Sequence, residues 1–227
     1  RIYISSRNKN IAKKLQKQFR QVKIIKDNQE IINKSSTIFL GLTPFVGNKI
    51  LPKLKFSKSK KIISLISTIN LEKLKKITKN KNIVRATPLP PIEINKGPIV
   101  ICPPNKSAKN LFKYLGLVIE IKSENLSYKF WSTASIMAAY YELLNISSGW
   151  LIKKGIKKNI ANNYISELFL SLSQDAVNKG SQGFKKLVKD SQTPKGLNMQ
   201  VLNELKKAKF YNKFIIALEN VNKRVSR

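Results

Sequence analysis

Strand-like and helix-like stretches alternate along the first half of this chain, and that rhythm limits the folds open to it. Ile2-Tyr3-Ile4, Val22 to Ile25, Thr37 to Leu42, Ile62 to Ile66, Ile83-Val84, Ile99 to Ile101 and Leu117 to Ile121 are short β-branched runs. Between them lie amphipathic segments. Ile11, Leu15 and Phe19 fall at i, i+4 and i+8, a second helical stretch starts at Asn28, Leu71, Leu74 and Ile77 mark a third, and a fourth runs from Ser107 to Leu115. Strand, helix, strand in this order predicts a mainly parallel sheet covered by helices. After about Ser123 only the helical period remains. Ile136 to Ile146 is apolar almost all round, so that helix is expected to be buried or paired with a partner chain. Ile160, Tyr164, Leu168 and Leu172 form a stripe, as do Phe214, Leu218, Val221 and Val225. Thr193-Pro194-Lys195-Gly196 is a turn into a further helix from Asn198. The expectation is two domains, residues 1–122 α/β and residues 123–227 all-α.

Composition narrows the class. The 227 residues are 42% hydrophobic, with 9 Pro and 9 Gly, which excludes disorder and collagen-like repeats. No apolar run reaches the ~18 residues of a membrane span, and no signal peptide is evident. The single cysteine, Cys102, excludes a disulfide framework, and the absence of histidine removes the usual zinc sets, so no metal is expected. A soluble, cytoplasmic protein is the reading. The formal charge of +32 raises nucleic acid as a partner, but only Arg1, Arg7, Arg20, Arg85, Arg224 and Arg227 of the 44 cations are arginine. Lysine pairs are scattered along the chain together with Asn and Ile, the residues of A- and T-rich codons. A solvated basic surface accounts for this pattern, and no specific nucleic acid or membrane partner is expected. A lysine-rich polyanion-binding protein stays open as an alternative.

A doubly wound dinucleotide-binding domain normally starts with a strand and a Gly-x-Gly-x-x-Gly turn. No such motif occurs, and the chain opens at Arg1 on what reads as a second strand. The expected fold class is therefore α/β, a Rossmann-type parallel sheet domain lacking its first strand, N-terminally incomplete, followed by an all-α dimerisation domain.

Several segments, in order, resemble the pyrroline-5-carboxylate reductase family. Thr37-Ile38-Phe39-Leu40-Gly41-Leu42-Thr43-Pro44 is similar to that family's apolar strand ending in Ala-Val-Lys-Pro. Ile62-Ile63-Ser64-Leu65-Ile66-Ser67-Thr68-Ile69-Asn70-Leu71 resembles Val-Val-Ser-Ile-Ala-Ala-Gly-Val-Thr-Leu, and Val84-Arg85-Ala86-Thr87-Pro88-Leu89-Pro90-Pro91 resembles Val-Arg-Ala-Met-Pro-Asn-Thr-Pro. Thr193-Pro194-Lys195-Gly196-Leu197-Asn198 aligns with Ser-Pro-Gly-Gly-Thr-Thr. The resemblance implies NADP, or NAD, as cofactor. It also implies hydride transfer to a cyclic imine, 1-pyrroline-5-carboxylate, in proline synthesis, and a homodimer or higher homo-oligomer formed through the helical domain. Such a reaction needs alignment more than a nucleophile, so no catalytic side chain is assigned.

Site residues follow from the resemblance and from strand geometry. Ser6 and Arg7 follow a strand where the adenosine ribose is read; with no acid there they suit a 2′-phosphate, and a plain surface turn is the alternative. Asn28 falls at an adenine-side position, with a helix N-cap as alternative. Gly41, Leu42, Thr43 and Pro44, with Ile66, Ser67 and Thr68, close parallel strands at their carboxyl edge, where cofactors lie in open sheets. On the substrate side, Thr133 and Ser135 stand in the family's Ser-Gly-Ser-Gly-Pro loop, here Thr133-Ala134-Ser135-Ile136-Met137, without its glycines. Gly196 and Asn198 would offer a helix N-terminus to a carboxylate; helix capping is the alternative role for the polar side chains. A non-catalytic dimeric relative acting as a binding or regulatory module is the competing reading of these altered loops.

Overall fold

The structure, a computed structural model, describes residues 1–226. The chain divides into two compact units, Arg1–Trp131 with residues from Asn222 onward, and Ser132–Val221.

The first unit carries the strands β1 (Ile2–Ser5), β2 (Val22–Ile25), β3 (Thr37–Leu40), β4 (Lys61–Ser64), β5 (Ile83–Thr87), β6 (Pro98–Cys102) and β7 (Leu117–Glu120). Its helices are α1 (Lys9–Gln18), α2 (Asn28–Lys34), α3 (Pro44–Ile50), α4 (Leu71–Thr78) and α5 (Lys106–Phe112). Local chemistry starts several of them. Asn8, Asp27, Asn70 and Asn105 each accept a backbone N–H from the first turn of α1, α2, α4 and α5 respectively, and Pro44 supplies a preset φ to α3. The N-cap of α2 is thus Asp27, which displaces the capping alternative considered for Asn28.

The strands form two sheets, β1-β2 and β3-β4-β5-β6-β7. All pairs are parallel except β5 with β6. The exception has a simple cause: a parallel return needs a crossover of a dozen or more residues, and the segment between Thr87 and Pro98 holds only a short 3₁₀ turn, Pro90–Ile94. Two-residue alternation distributes the apolar side chains of the larger sheet to both faces. Ile62, Ile83 and Cys102 join one cluster with Leu40, Leu51, Ile66 and Leu74. Ile63, Val84 and Ile101 join the other with Ala108 and Phe112. Each fully buried Ile or Leu contributes roughly 1.5–3 kcal/mol relative to exposure, so this sheet is the main source of stability in the unit.

Helix α6 (Glu124–Ala134) follows β7, and α7 (Met137–Lys153), α8 (Lys158–Lys179), α9 (Phe184–Asp190), α10 (Leu197–Lys207) and α11 (Phe210–Val225) complete the chain. In the second unit α7 packs on α8, and the Ser148 hydroxyl donates to Asn162 Oδ1 at 2.6 Å between them. Gly155, at φ +92°, takes the left-handed conformation in the connection. Among the described residues the buried side chains of this unit are Ser132, Ser148, Ala161 and Ile165. The apolar α7 is therefore not buried within its own chain: Tyr141, Ile146 and Trp150 are 53%, 54% and 60% exposed. No helix among the described residues is long and apolar enough to cross a membrane.

Candidate functional site

The carboxyl edge of β3 and β4 gathers the central part of the site. Leu40 and Ser64 are register partners, and the Leu65 N–H donates to the Leu40 carbonyl at 3.1 Å, so the segments Gly41–Pro44 and Leu65–Asn70 leave the sheet side by side. Gly41 and Thr43 are exposed, Leu42 and Pro44 half-buried. A Cβ added at Gly41 would meet nothing within 4 Å, so the protein's own packing does not require glycine there. Gly47 on α3 is the opposite case. An added Cβ would lie 3.1 Å from the side-chain termini of both Ile66 and Ile69, which shows how closely α3 rests on the loop after β4.

That loop is held from beneath as well. Ile66 and Ile69 are buried, Ser67 is half-buried and Thr68 is exposed. Arg85, in the fully buried strand β5, reaches under them and is 1% exposed. Its Nη2 donates to the Ser67 carbonyl at 2.5 Å and to that of Ile66 at 3.4 Å, and its Nη1 meets Glu124 Oε1 at 2.6 Å. The same Glu124 oxygen accepts the N–H of Leu71, the first residue of α4, at 2.8 Å. Tyr128 and Trp131, four and seven residues beyond Glu124 on α6, present their rings to the guanidinium, with centroids 4.9 and 5.6 Å from Arg85 Cζ. Glu124, Tyr128 and Trp131 thus share one helix face. Burial raises the Tyr128 phenol above its ordinary value, with the Arg85 charge opposing the shift. Burial likewise raises the Cys102 thiol, which makes it an unreactive core residue rather than a nucleophile. This Arg85–Glu124 arrangement escaped sequence reasoning. Its signals were a lone arginine inside a β-branched run and an acid leading an aromatic stripe in a chain with few acids.

At the end of β1, an open hollow of 780 Å³ is lined by residues that include Ser5, Arg7, Asn8 and Lys9. Two cations and no carboxylate line it. Ser6, half-buried, stands between two lining residues without being one itself. Asn28 is the first residue of α2 and is half-buried.

The remaining candidates lie in the second unit. Ser135 is exposed and its hydroxyl donates to the Ser132 carbonyl at 2.6 Å; the Thr133 carbonyl accepts from the Ile136 N–H at 3.2 Å. Gly196 is required by its turn: an added Cβ would lie 2.0 Å from Thr193 Oγ1, and its N–H bonds the Thr193 carbonyl at 2.8 Å. Lys195 beside it adopts φ +62°, a conformation glycine takes without strain, where the resembling motif has glycine. Asn198 Nδ2 donates to the Ser191 carbonyl at 2.9 Å, and α10 begins one residue earlier than expected, at Leu197. Among the described residues no group of three His, Cys, Asp or Glu could hold a metal ion.

No protein-family model matches the chain. A curated pyrroline-5-carboxylate reductase from Synechocystis is 26% identical over 222 residues, covering 92% of this chain and 81% of that protein. Among solved structures, 1-pyrroline-5-carboxylate reductase from Streptococcus pyogenes matches with a TM-score of 0.85 at 20% identity, covering 98% of this chain and 88% of its own. Pyrroline carboxylate reductase from Plasmodium falciparum, solved with NADP bound, matches with a TM-score of 0.80 at 21% identity, covering 90% and 81%. A reductive aminase from Aspergillus terreus, solved with NADPH and ethyl levulinate, gives 0.62 at 14% identity over 99% and 84%. These likenesses establish the fold expected from the strand–helix rhythm, a Rossmann-type domain followed by helices.

Proposed function

We propose that this chain, a relative of the pyrroline-5-carboxylate reductases in both sequence and fold, binds NADP(H) and reduces the cyclic imine 1-pyrroline-5-carboxylate to proline. The observation that carries the reading is the pair of loops at the carboxyl edge of β3 and β4. They expose backbone at Gly41 and Thr43 with room above the glycine, which is how open α/β sheets receive a nicotinamide cofactor. The residues present fit the group. The hollow lined by Ser5, Arg7 and Lys9 suits an adenosine 2′-phosphate better than a free ribose diol, because it offers positive charge and no carboxylate. Gly41 to Pro44 and Ile66 to Thr68 hold the other half through backbone groups, and Asn28 is kept as an adenine-side contact. Bound NADPH would supply a hydride.

The protein's own contribution is alignment and charge. Thr133 and Ser135 orient the imine through their hydroxyls, and the first turn of α10, which starts after Gly196 and carries Asn198, receives the substrate carboxylate through its backbone N–H groups. With no nucleophile or metal demanded by the reaction, positioning can account for the acceleration.

The partner is a second copy of the chain. A helical unit whose buried apolar side chains among the described residues are Ala161 and Ile165 lacks a core of its own, and Trp150, Ile160, Tyr164 and Leu172 stay more than half exposed. An apolar surface of this kind marks an interface.

Gly41→Leu tests the cofactor reading. Because a Cβ at that position would meet nothing within 4 Å, the thermal midpoint without ligand is expected within about 2 °C of wild type, corresponding to about 0.5–1 kcal/mol. The stabilisation that excess NADPH gives the wild type should fall to near zero. A variant that keeps the full NADPH-induced shift would remove the cofactor from this edge.

A further inference from the structure

We infer that Arg85 and Glu124 are positioning residues for the nicotinamide half of the site, acting through the loop from Leu65 to Asn70. The inference rests on the reading that this loop lies against the cofactor. The loop carries no regular hydrogen-bond ladder, so its shape must come from elsewhere. Arg85 provides it from one side by donating to the carbonyls of Ser67 and Ile66. Glu124 provides it from the other by accepting the Leu71 N–H where α4 begins. The two side chains meet at 2.6 Å, so one ion pair ties the carbonyl side of the loop to its exit. The core-facing side of the loop is pinned by the buried Ile66 and Ile69 against Gly47, which leaves Ser67 and Thr68 as the part turned outward.

A planar guanidinium is needed for this. It spans the carboxylate with one amino group and the carbonyls with the other, while its faces lie against Tyr128 and Trp131. Lysine carries the charge without the fork and can satisfy one side only. An arginine is tolerated at this buried strand position because its charge is matched by Glu124, by carbonyl oxygens and by two aromatic rings. The Nε alone lacks a partner.

The test compares wild type with Arg85→Lys and Glu124→Gln, all as the full chain, by steady-state kinetics and by amide hydrogen exchange. Per folded molecule, Arg85→Lys is expected to lower kcat by up to about 100-fold while the imine KM stays within about 2-fold. Glu124→Gln, which keeps an acceptor for Leu71, should lose about 10-fold. In both variants the amides of Ile66, Ser67, Thr68 and Leu71 should exchange about 10-fold faster, with amides of β6 unchanged. Wild-type kcat in both variants with unchanged loop exchange would overturn the inference, and so would a uniform rise in exchange across the sheet. If the wild type itself shows no imine-dependent NADPH oxidation, the functional reading fails instead, and the exchange pattern alone decides whether the clamp exists.

Discussion

Arg85→Met should be among the most damaging single substitutions in the first unit, costing about 3–5 kcal/mol, as expected when one partner of a buried ion pair is removed. Arg85 is 1% exposed, and its loss leaves the Glu124 carboxylate beside Leu71 without its counter-charge and the Ser67 carbonyl without a donor. For a chain of this length such a loss lowers the thermal midpoint by about 10 °C, measurable by circular dichroism. The double variant Arg85→Met with Glu124→Leu should recover part of that, because an apolar pair no longer buries an unmatched charge. Equal losses in the single and double variants would mean that the damage comes from packing and not from the orphaned carboxylate.

The second large effect belongs to the helical unit. Tyr164 and Leu172 are each 59% exposed in the single chain, so replacing both by Glu removes little packing within it. If they form the centre of a homodimer interface, burying two carboxylates there should cost about 2–4 kcal/mol each, enough to raise the dimer dissociation constant by more than about 1,000-fold. Sedimentation velocity at micromolar concentration is expected to show a dimer for wild type and a monomer for the variant. A wild-type monomer, or a variant that still sediments as a dimer, would place these stripes outside the interface.

Much of the first unit was legible because its strands are β-branched runs flanked by breakers. Ile2-Tyr3-Ile4 and Val22 to Ile25 lie within β1 and β2 as the pattern indicates. Departures have identifiable causes. The run from Thr37 yields a strand only to Leu40, because Gly41 to Thr43 turn out of the sheet toward Pro44 at the start of α3. Strand β5 extends beyond Ile83-Val84 to Thr87, since Arg85 interrupts the apolar run in sequence but is neutralised in three dimensions by a residue 39 positions later. Pairing at that separation leaves no local trace. The antiparallel entry of β6 was hidden for a similar reason, as direction depends on how long the connection is and not on the strand's own residues. In the helical unit the periodicity marks α8 and α11, but it does not say whether an apolar stripe meets its own chain or another. Gly41 and Gly196 look alike in sequence, yet one has free space around it and the other is forced by Thr193.

The most direct measurement is product formation. Purified protein is incubated with 1-pyrroline-5-carboxylate and NADPH, and proline is quantified by mass spectrometry alongside NADPH consumption at 340 nm. The expected result is proline and oxidised cofactor in equal amounts, NADPH being preferred over NADH because Arg7 and Lys9 line the hollow after β1. Protein that is folded and dimeric, yet neither binds NADPH nor produces proline, would contradict the account.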